Sequence, residues 1–451
     1  MQNLSSNPTA VSKRTPICIS EAQGFFSSGM EQVDLVIRNG TIIDPKNEIN
    51  GAICDVAVKN SKIHSVGKGL LVIAVKEINA AGCLVTPGLI DNHVHCYEYA
   101  TPLGINPDRD CLARGVTTVV DCGSAGASTF MGLKKYVVEK SSTRVLCLLH
   151  IASHGLAAAG CAGGCPGGES DTLAFLDSDA CKGCMENNRD VIKGVKIRLQ
   201  KSVCANGATE DEAYRRALVV SQACAVPLMV HHIESSVPTQ RHDGADTRVG
   251  CPSHLRAGDF YTHAYHGYHE TIINSATGKV HDDVISARKR GVLFDVGHGM
   301  GSFNWKVAEI CVKQGFWPDV ISSDLHTQNI HGPVYDLLTV MTKFLHLGMP
   351  LYEVIKSTTI TPARALSMDT EIGSLTAGCD ADITIIKQEA CDVQLEDSVT
   401  QLRNVKQRLV PVHVFRAGVQ HSILPKVPWP NENILQHLAF QLERCVIKDD
   451  V

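Results

Sequence analysis

The sequence predicts an α/β fold, an eight-stranded β/α barrel of the TIM type carrying a small β-sandwich domain formed from both chain ends. Two observations predict it. The middle of the chain alternates short β-rich runs with amphipathic or Ala-rich helical stretches. Eight such runs are the count of a barrel, which takes ~250 residues. Alternating apolar and polar segments bracket that middle on both sides, which points to one small β domain made from both ends. At 451 residues the chain exceeds one compact core, so a large domain plus a smaller one is expected.

In chain order, residues 1–32 read as a tail. MQNLSSNPTAVSKRTPICIS lacks the continuous apolar segment of a secretory signal. No acid precedes Glu21 and Lys13 and Arg14 are present, so a transit peptide stands as the second reading behind a disordered tail, with Met30 an alternative start. Residues 33–84 carry the runs DLVIRNGTII and CDVAVKNSKI, with turn chemistry expected at Asn39-Gly40 and Asn60-Ser61 between them. Their partner segment, 370–425, holds IGSLTAGCDADITII and LVPVHVFRAGVQH. The barrel is expected over 85–369, from LVTPGLIDNHVH through GVTTVVDCG, RVLCLLHIA, IKGVKIRL, VPLMVHH, DFYTHAYH and GVLFDVGHG to DVISSDLH. A doubly wound sheet is the competing topology, but no glycine-rich dinucleotide fingerprint follows the first strand. Residues 426–451 read as a C-terminal tail with a surface helix.

Charge and hydropathy exclude several function classes. With 42 Lys and Arg against 47 Asp and Glu, the net charge of -5 gives no basis for binding nucleic acid or an anionic membrane. No apolar stretch approaches the ~20 residues of a membrane span. The expected partners are a small-molecule substrate and further copies of the chain in a homo-oligomer, and the expected location is cytoplasmic. Most of the 18 cysteines sit in apolar runs, such as Cys147 in RVLCLL, where they read as small buried hydrophobes. Cys161, Cys165, Cys181 and Cys184 come close to the double-pair spacing of a zinc clip. Three residues separate the first pair in an Ala/Gly context, so unpaired thiols are the expectation.

The chemistry lies at the strand ends, the face on which a β/α barrel carries its active site. His93 and His95 are one residue apart, so on a strand both point to the same side and can chelate one metal. In Val195-Lys196-Ile197-Arg198-Leu199 the apolar residues share one face, which turns Lys196 and Arg198 into the barrel and leaves Lys193 with the opposite parity. An inward lysine is blandly a salt-bridge partner. More sharply, a desolvated neutral amine captures carbon dioxide as a carbamate, whose two oxygens can bridge two cations. His231 ends the fifth run and His263 the sixth, each able to supply imidazole to a second metal, while His232 faces the other way. Asp324, ending the eighth run, can bind the first metal and take a proton from a bridging water. His298, in the glycine-flanked DVGHGMG, reads as a substrate or transition-state contact. Neutral imidazoles with carboxylate oxygens suit two divalent ions, zinc best. Such a pair holds a hydroxide at neutral pH and hydrolyses amides or esters.

With these residues in place the chain resembles the amidohydrolase superfamily over nearly its whole length. The resemblance is carried by VTPGLIDNHVH, GVKIRL, SSDLH and GSLTAGCDADITII. TPLGINPD, GVTTVVDCGSAGASTF and FDVGHGMGSF look like the deacetylase branch related to dihydroorotases. The resemblance implies His93, His95 and Asp324 on one metal, His231 and His263 on the other, and carboxylated Lys196 between them. It also implies deacetylation of an amide or ester of a small molecule. Dihydroorotases carry an arginine two residues beyond the second histidine to bind the substrate carboxylate. Tyr97 stands there instead and is the second expected substrate contact, with Arg198 a substitute cation. A cyclic amidase of the dihydroorotase or hydantoinase type is the alternative enzyme. A non-catalytic barrel scaffold is the alternative of another class, and it is disfavoured because every expected ligand position is filled.

Overall fold

In the first β segment, apolar residues recur at alternate positions and build strand β1 (Glu31–Asp44), which buries Leu35, Ile37 and Ile42 in the core of the small domain. The structure, a computed structural model, describes residues 30–158, 167–240, 249–425, 429–430 and 444–447. The transit-peptide reading falls on residues outside these, as does most of the expected C-terminal helix.

Asn39 and Gly40 form a bulge inside β1, not the turn expected of them. The register of β1 against β2 (Ile49–Lys59) shifts between Ile37 and Gly40. Asn39 adopts φ 59° with its N–H donated to Asp55 Oδ1 at 3.1 Å. A Cβ on Gly40 would lie 2.3 Å from Val85 Cγ2. The bulge lets one strand serve two neighbours. Its first half pairs with β4 (Val72–Asn79) and its second with β5 (Leu84–Pro87). Asn60-Ser61 is the turn expected, with both residues at positive φ between β2 and β3 (Lys62–Gly67).

The second β segment returns to this sheet. β15 (Ile383–Glu396) pairs with β5 and with β16 (Leu402–Arg416), followed by β17 (Val419–His421), in the order β17-β16-β15-β5-β1-β2-β3. Because β5 belongs here, the barrel begins at β6 (Leu89–Val94), a few residues later than 85. Gly88 makes the switch, since a Cβ there would sit 2.2 Å from Thr117 Oγ1.

The barrel strands are β6, β7 (Val116–Gly126), β8 (Arg144–His150), β9 (Ile192–Leu199), β10 (Leu228–His232), β11 (Phe260–Thr262) and β14 (Leu293–Phe294), all parallel and in chain order. A small hairpin, β12 (Ile273–Asn274) with β13 (Lys279–Val280), lies off that sheet. The eighth run forms no continuous ladder. It closes the ring through parallel bridges Asp295–Val320 and Val94–Leu325. Ile90, Val120, Leu146, Leu148, Met229, Phe260 and Val320 pack together as an apolar plug. The polar layer at the strand ends therefore has a dry floor.

Between strands, helices present apolar stripes to the barrel. Ala213, Ala217 and Val220 of helix Glu210–Ala223 join the main core, and Glu210, Asp211 and Glu212 suit its N-terminal dipole. The β15–β16 hairpin reaches across to the barrel, where Leu395, Val405 and Leu409 enter the main core. Its tip props the seventh strand-end loop: Ser398 N–H donates to the Phe303 carbonyl at 2.9 Å.

The fifteen cysteines among the described residues are free thiols. Cys181 is buried in helix Ser178–Glu186 and Cys184 half-buried, while Cys161 and Cys165 lie outside the described residues. Among the described residues no helix is long and apolar enough to cross a membrane.

Candidate metal centre

The strand ends bring the expected ligands to one spot. His93, at the end of β6, places Nε2 3.5 Å from Asp324 Oδ1, and His95 places Nε2 3.1 Å from the same oxygen. One ligand atom from each of the three residues lies within 4.8 Å of the other two. The His263 ring lies 5.1 Å from that of His93 and 4.4 Å from that of His231, centroid to centroid. Lys196 is fully buried and its Nζ lies 3.1 Å from His93 Nε2 and 3.5 Å from Met229 Sδ. Val195, Ile197 and Leu199 face the main core, as the parity of β9 requires.

The protein dictates which nitrogen each ring offers. Thr262 Oγ1 donates to Asp295 Oδ2 at 2.6 Å, so it accepts from His93 Nδ1 at 3.0 Å and leaves His93 Nε2 with a bare lone pair. His263 Nδ1 donates to the Gly297 carbonyl at 2.6 Å, which bares its Nε2 in the same way. His95 Nδ1 lies 3.1 Å from Ser124 Oγ. Such outer partners orient imidazoles for coordination. His231 Nε2 and Asp324 Oδ1 are buried with no hydrogen-bond partner. Buried polar atoms without partners are costly and uncommon. Bare nitrogens beside a carboxylate fit a borderline divalent cation, so the residues present fit a metal.

Electrostatics agree with the chemistry. Burial alone would raise the Asp324 carboxyl, but the imidazoles of His93, His95 and His263 outweigh it and hold it well below the usual range. Burial pushes the Lys196 amine down, toward the neutral form. Asp324 sits at φ 50°, and Gly299 covers its outer oxygen so closely that a Cβ would lie 2.4 Å from Oδ2.

The remaining expected residues are placed otherwise. His232 faces away, with Nδ1 2.9 Å from the Tyr261 hydroxyl and Nε2 2.8 Å from the Val237 carbonyl. His298, expected to touch substrate, is fully buried. Its Nδ1 donates to the Gly299 carbonyl at 2.9 Å, its Nε2 accepts from Lys343 Nζ at 2.7 Å, and its ring stacks on Phe303. Both nitrogens are thus engaged inside the protein, and the residue braces the loop over Asp324. Tyr97 donates its hydroxyl to the Thr129 carbonyl at 3.1 Å and lines a cleft of about 530 Å³ whose walls include none of the candidate ligands. Strand β6 ends at Val94, three residues before Tyr97.

Sequence reasoning missed three groups. Asp295 stands behind His93 through Thr262. Lys343 holds His298 from helix Leu337–His346. His150 and Glu169 are buried beside Arg198. Only His150 carried a local signal, a histidine ending the third run.

The buried imidazoles make stability depend on pH. Burial pushes His232 down to about 4, His266 to about 3 and His326 to about 4, with five more pushed the same way. An unfolded histidine takes its proton near ~6.5, so between there and about 4 the unfolded chain binds more protons and stability falls as pH drops. Burial raises seven carboxyls, among them Asp91 and Asp397 to about 7 and Asp295 to about 6, and these act in the opposite sense. Burial also lowers His154, His346 and His413, so eleven imidazoles outnumber seven carboxyls. The Tm of the metal-free protein is therefore expected to fall between pH 7 and pH 5, and a constant or rising Tm would contradict this balance.

Comparison with known proteins gives a consistent picture. Residues 84–420 match the model of the amidohydrolase family. A protein of Enterococcus faecalis named a deacetylase is 32% identical over 388 residues, covering 85% of this chain and 98% of that one. A crystal structure of an adenine deaminase superposes with TM-score 0.77 at 30% identity, covering 86% of this chain and all of the other. A crystal structure of a dihydroorotase gives 0.76 at 28% identity, covering 88% and 99%.

Proposed function

The chain belongs to the amidohydrolase family, and from that premise we propose that it is a two-metal deacetylase or amidase that cleaves an amide or ester of a small molecule. The observation that carries this reading is the convergence of His93 Nε2, His95 Nε2 and Asp324 Oδ1, with the unpartnered His231 Nε2 and the buried Lys196 amine beside them.

In this reading His93, His95 and Asp324 hold one divalent ion, His231 and His263 a second, and Lys196, as a carbamate, joins the two. Zinc is the metal we propose. When bound, such ions polarise a substrate carbonyl and lower the pKa of water. The chain's own residues do the rest. The apolar plug beneath the centre excludes water from below. Asp324 takes the proton of the attacking water on its carboxylate and delivers it to the leaving nitrogen or oxygen. Burial pushes the Lys196 amine toward the neutral form, which is the form that reacts with carbon dioxide.

The deacetylase reading is supported by the similarity to the Enterococcus faecalis protein along nearly its whole length. The likeness to a dihydroorotase structure supports a cyclic amidase as the second reading. Against it, Tyr97 stands where a carboxylate-binding arginine is expected and its hydroxyl is spent on Thr129.

The test combines metal content per chain, on protein purified without chelator, with assays on N-acetyl amino acids, acetylated hydroxy acids, dihydroorotate and adenine. About two metals per chain with acetyl hydrolysis, abolished by chelation and restored by zinc with bicarbonate, is the expected result. Activity indifferent to chelators would place the chemistry elsewhere, and turnover of dihydroorotate or adenine alone would replace the deacetylase reading.

A further inference from the structure

Next to the candidate ligands stands a second cluster of buried polar groups. His150 ends β8 and pairs in register with Lys196 of β9. A Cβ on Gly123 would meet His150 Cδ2 at 2.9 Å and Lys196 Cγ at 2.8 Å, so the imidazole lies against the lysine stem. Arg198 lies two residues along the same inward face, and Glu169 comes from the segment after β8. His150 and Glu169 are fully buried and Arg198 is 7% exposed.

His150 and Glu169 are paired incompletely. His150 Nδ1 accepts from the Ala152 N–H at 3.0 Å, so the ring proton is on Nε2, and that N–H has no partner. Neither oxygen of Glu169 has a hydrogen bond. Glu169 Oε1 stands 3.4 Å from Arg198 Nη1 in an ion pair and 3.9 Å from His150 Nε2. Arg198 Nη2 also donates to Gln200 Oε1 at 3.2 Å. A buried N–H donor and a buried carboxylate, neither making a hydrogen bond and 3.9 Å apart, point to a group that completes them.

The chemistry of the missing group follows from charge and donor count. Arg198 pairs with Glu169, and the His150 ring, whose Nδ1 accepts from the Ala152 N–H, carries its single proton on Nε2. What remains is one donor, His150 Nε2–H, and one acceptor, Glu169 Oε2, since Oε1 is held in the ion pair. A ligand carboxylate would face the Glu169 carboxylate, a like-charge contact that opposes binding. A hydroxyl satisfies both sides, accepting from His150 Nε2–H and donating to Glu169.

We propose that His150, Glu169 and Arg198 form the substrate-recognition subsite and that it takes a neutral hydroxyl carried by the acyl compound. This rests on the hydrolytic reading of the neighbouring centre and names the substrate class for it: an N-acyl or O-acyl alcohol, not an acyl acid.

The experiment uses the zinc-replete protein and matched probes: N-acetylethanolamine and N-acetyl-3-aminopropanol, their O-methyl ethers, and N-acetylglycine and N-acetyl-β-alanine. Wild type is expected to prefer an alcohol over its ether by at least about tenfold in kcat/KM, the size of one hydrogen bond to a charged group. It is expected to prefer that alcohol over the acid of like length. In Glu169→Gln the alcohol-to-ether ratio should fall toward one, with the change in KM. A preference for the acids, a rise in activity on them in Glu169→Gln, or equal losses on alcohol and ether would overturn the proposal, the last by showing a merely structural role. Calorimetric binding of the same probes separates the two readings. If wild type hydrolyses none of them, the hydrolytic reading fails for these acyl compounds. Alcohol binding that is weakened in Glu169→Gln still supports the subsite, and absence of alcohol binding overturns it.

Discussion

Asp324→Asn is expected to keep its metal and lose turnover, with kcat lower by about 10³-fold or more. The amide matches the carboxylate in shape and retains one oxygen, so it can still occupy the space between His95 and Gly299. What it cannot do is accept a proton at neutral pH. The native carboxyl is poised for that task because the surrounding imidazoles keep it ionised despite its burial. Metal content per chain and kcat, measured on the same preparation, check the prediction. Wild-type kcat in the variant would remove Asp324 from proton transfer. Loss of metal together with activity would make the residue a ligand first, with its shuttle role undecided by this variant and read instead from the acidic limb of the wild-type pH–rate profile.

The second large effect is expected at Lys196. Lys196→Ala should lower metal content from about two per chain to about one and cut kcat/KM by about 100-fold or more. Burial works against a charged amine at this position. The apolar stem is packed beside Gly123, and Nζ ends at His93 Nε2 and Met229 Sδ, not at a carboxylate. A lysine retained there for a salt bridge would be expected to end on an acid. Short carboxylic acids such as acetate or propionate should restore part of both metal content and rate, because a carboxylate in the vacated space presents the two oxygens of a carbamate. Full metal content in the variant, with no response to added acids, would sink the bridging role.

His298 is tied into the protein at both ring nitrogens. Its ring is held between Lys343, Phe303 and the Gly299 carbonyl, and Gly299 in turn lies over Asp324. Lys343 also donates to the carbonyls of Pro333, at 3.1 Å, and Glu396, which ties the loop to the end of β15. The small domain, built from both chain ends, thereby supports the most constrained corner of the centre.

Local stereochemistry explains what could be read from the sequence alone. A strand turns successive side chains to opposite faces. From that rule follow the pairing of His93 with His95, the inward Lys196 and Arg198, the outward His232 and the exclusion of Lys193, whose Nζ bonds the Arg189 carbonyl. The eight runs and the two flanking β segments were equally legible, because each is a short-range pattern of apolar residues. Tertiary structure alone decided the rest. Whether Asn39-Gly40 turns or bulges depends on Val85 and Asp55. Tyr97 and His298 follow Thr129 and Lys343, residues 32 and 45 positions away. Glu169 meets Arg198 and His150 only because the barrel closes. Periodicity says which face a side chain takes while the strand lasts. Past the strand end, direction is set by whichever distant donor or acceptor packing delivers, and no local pattern encodes that.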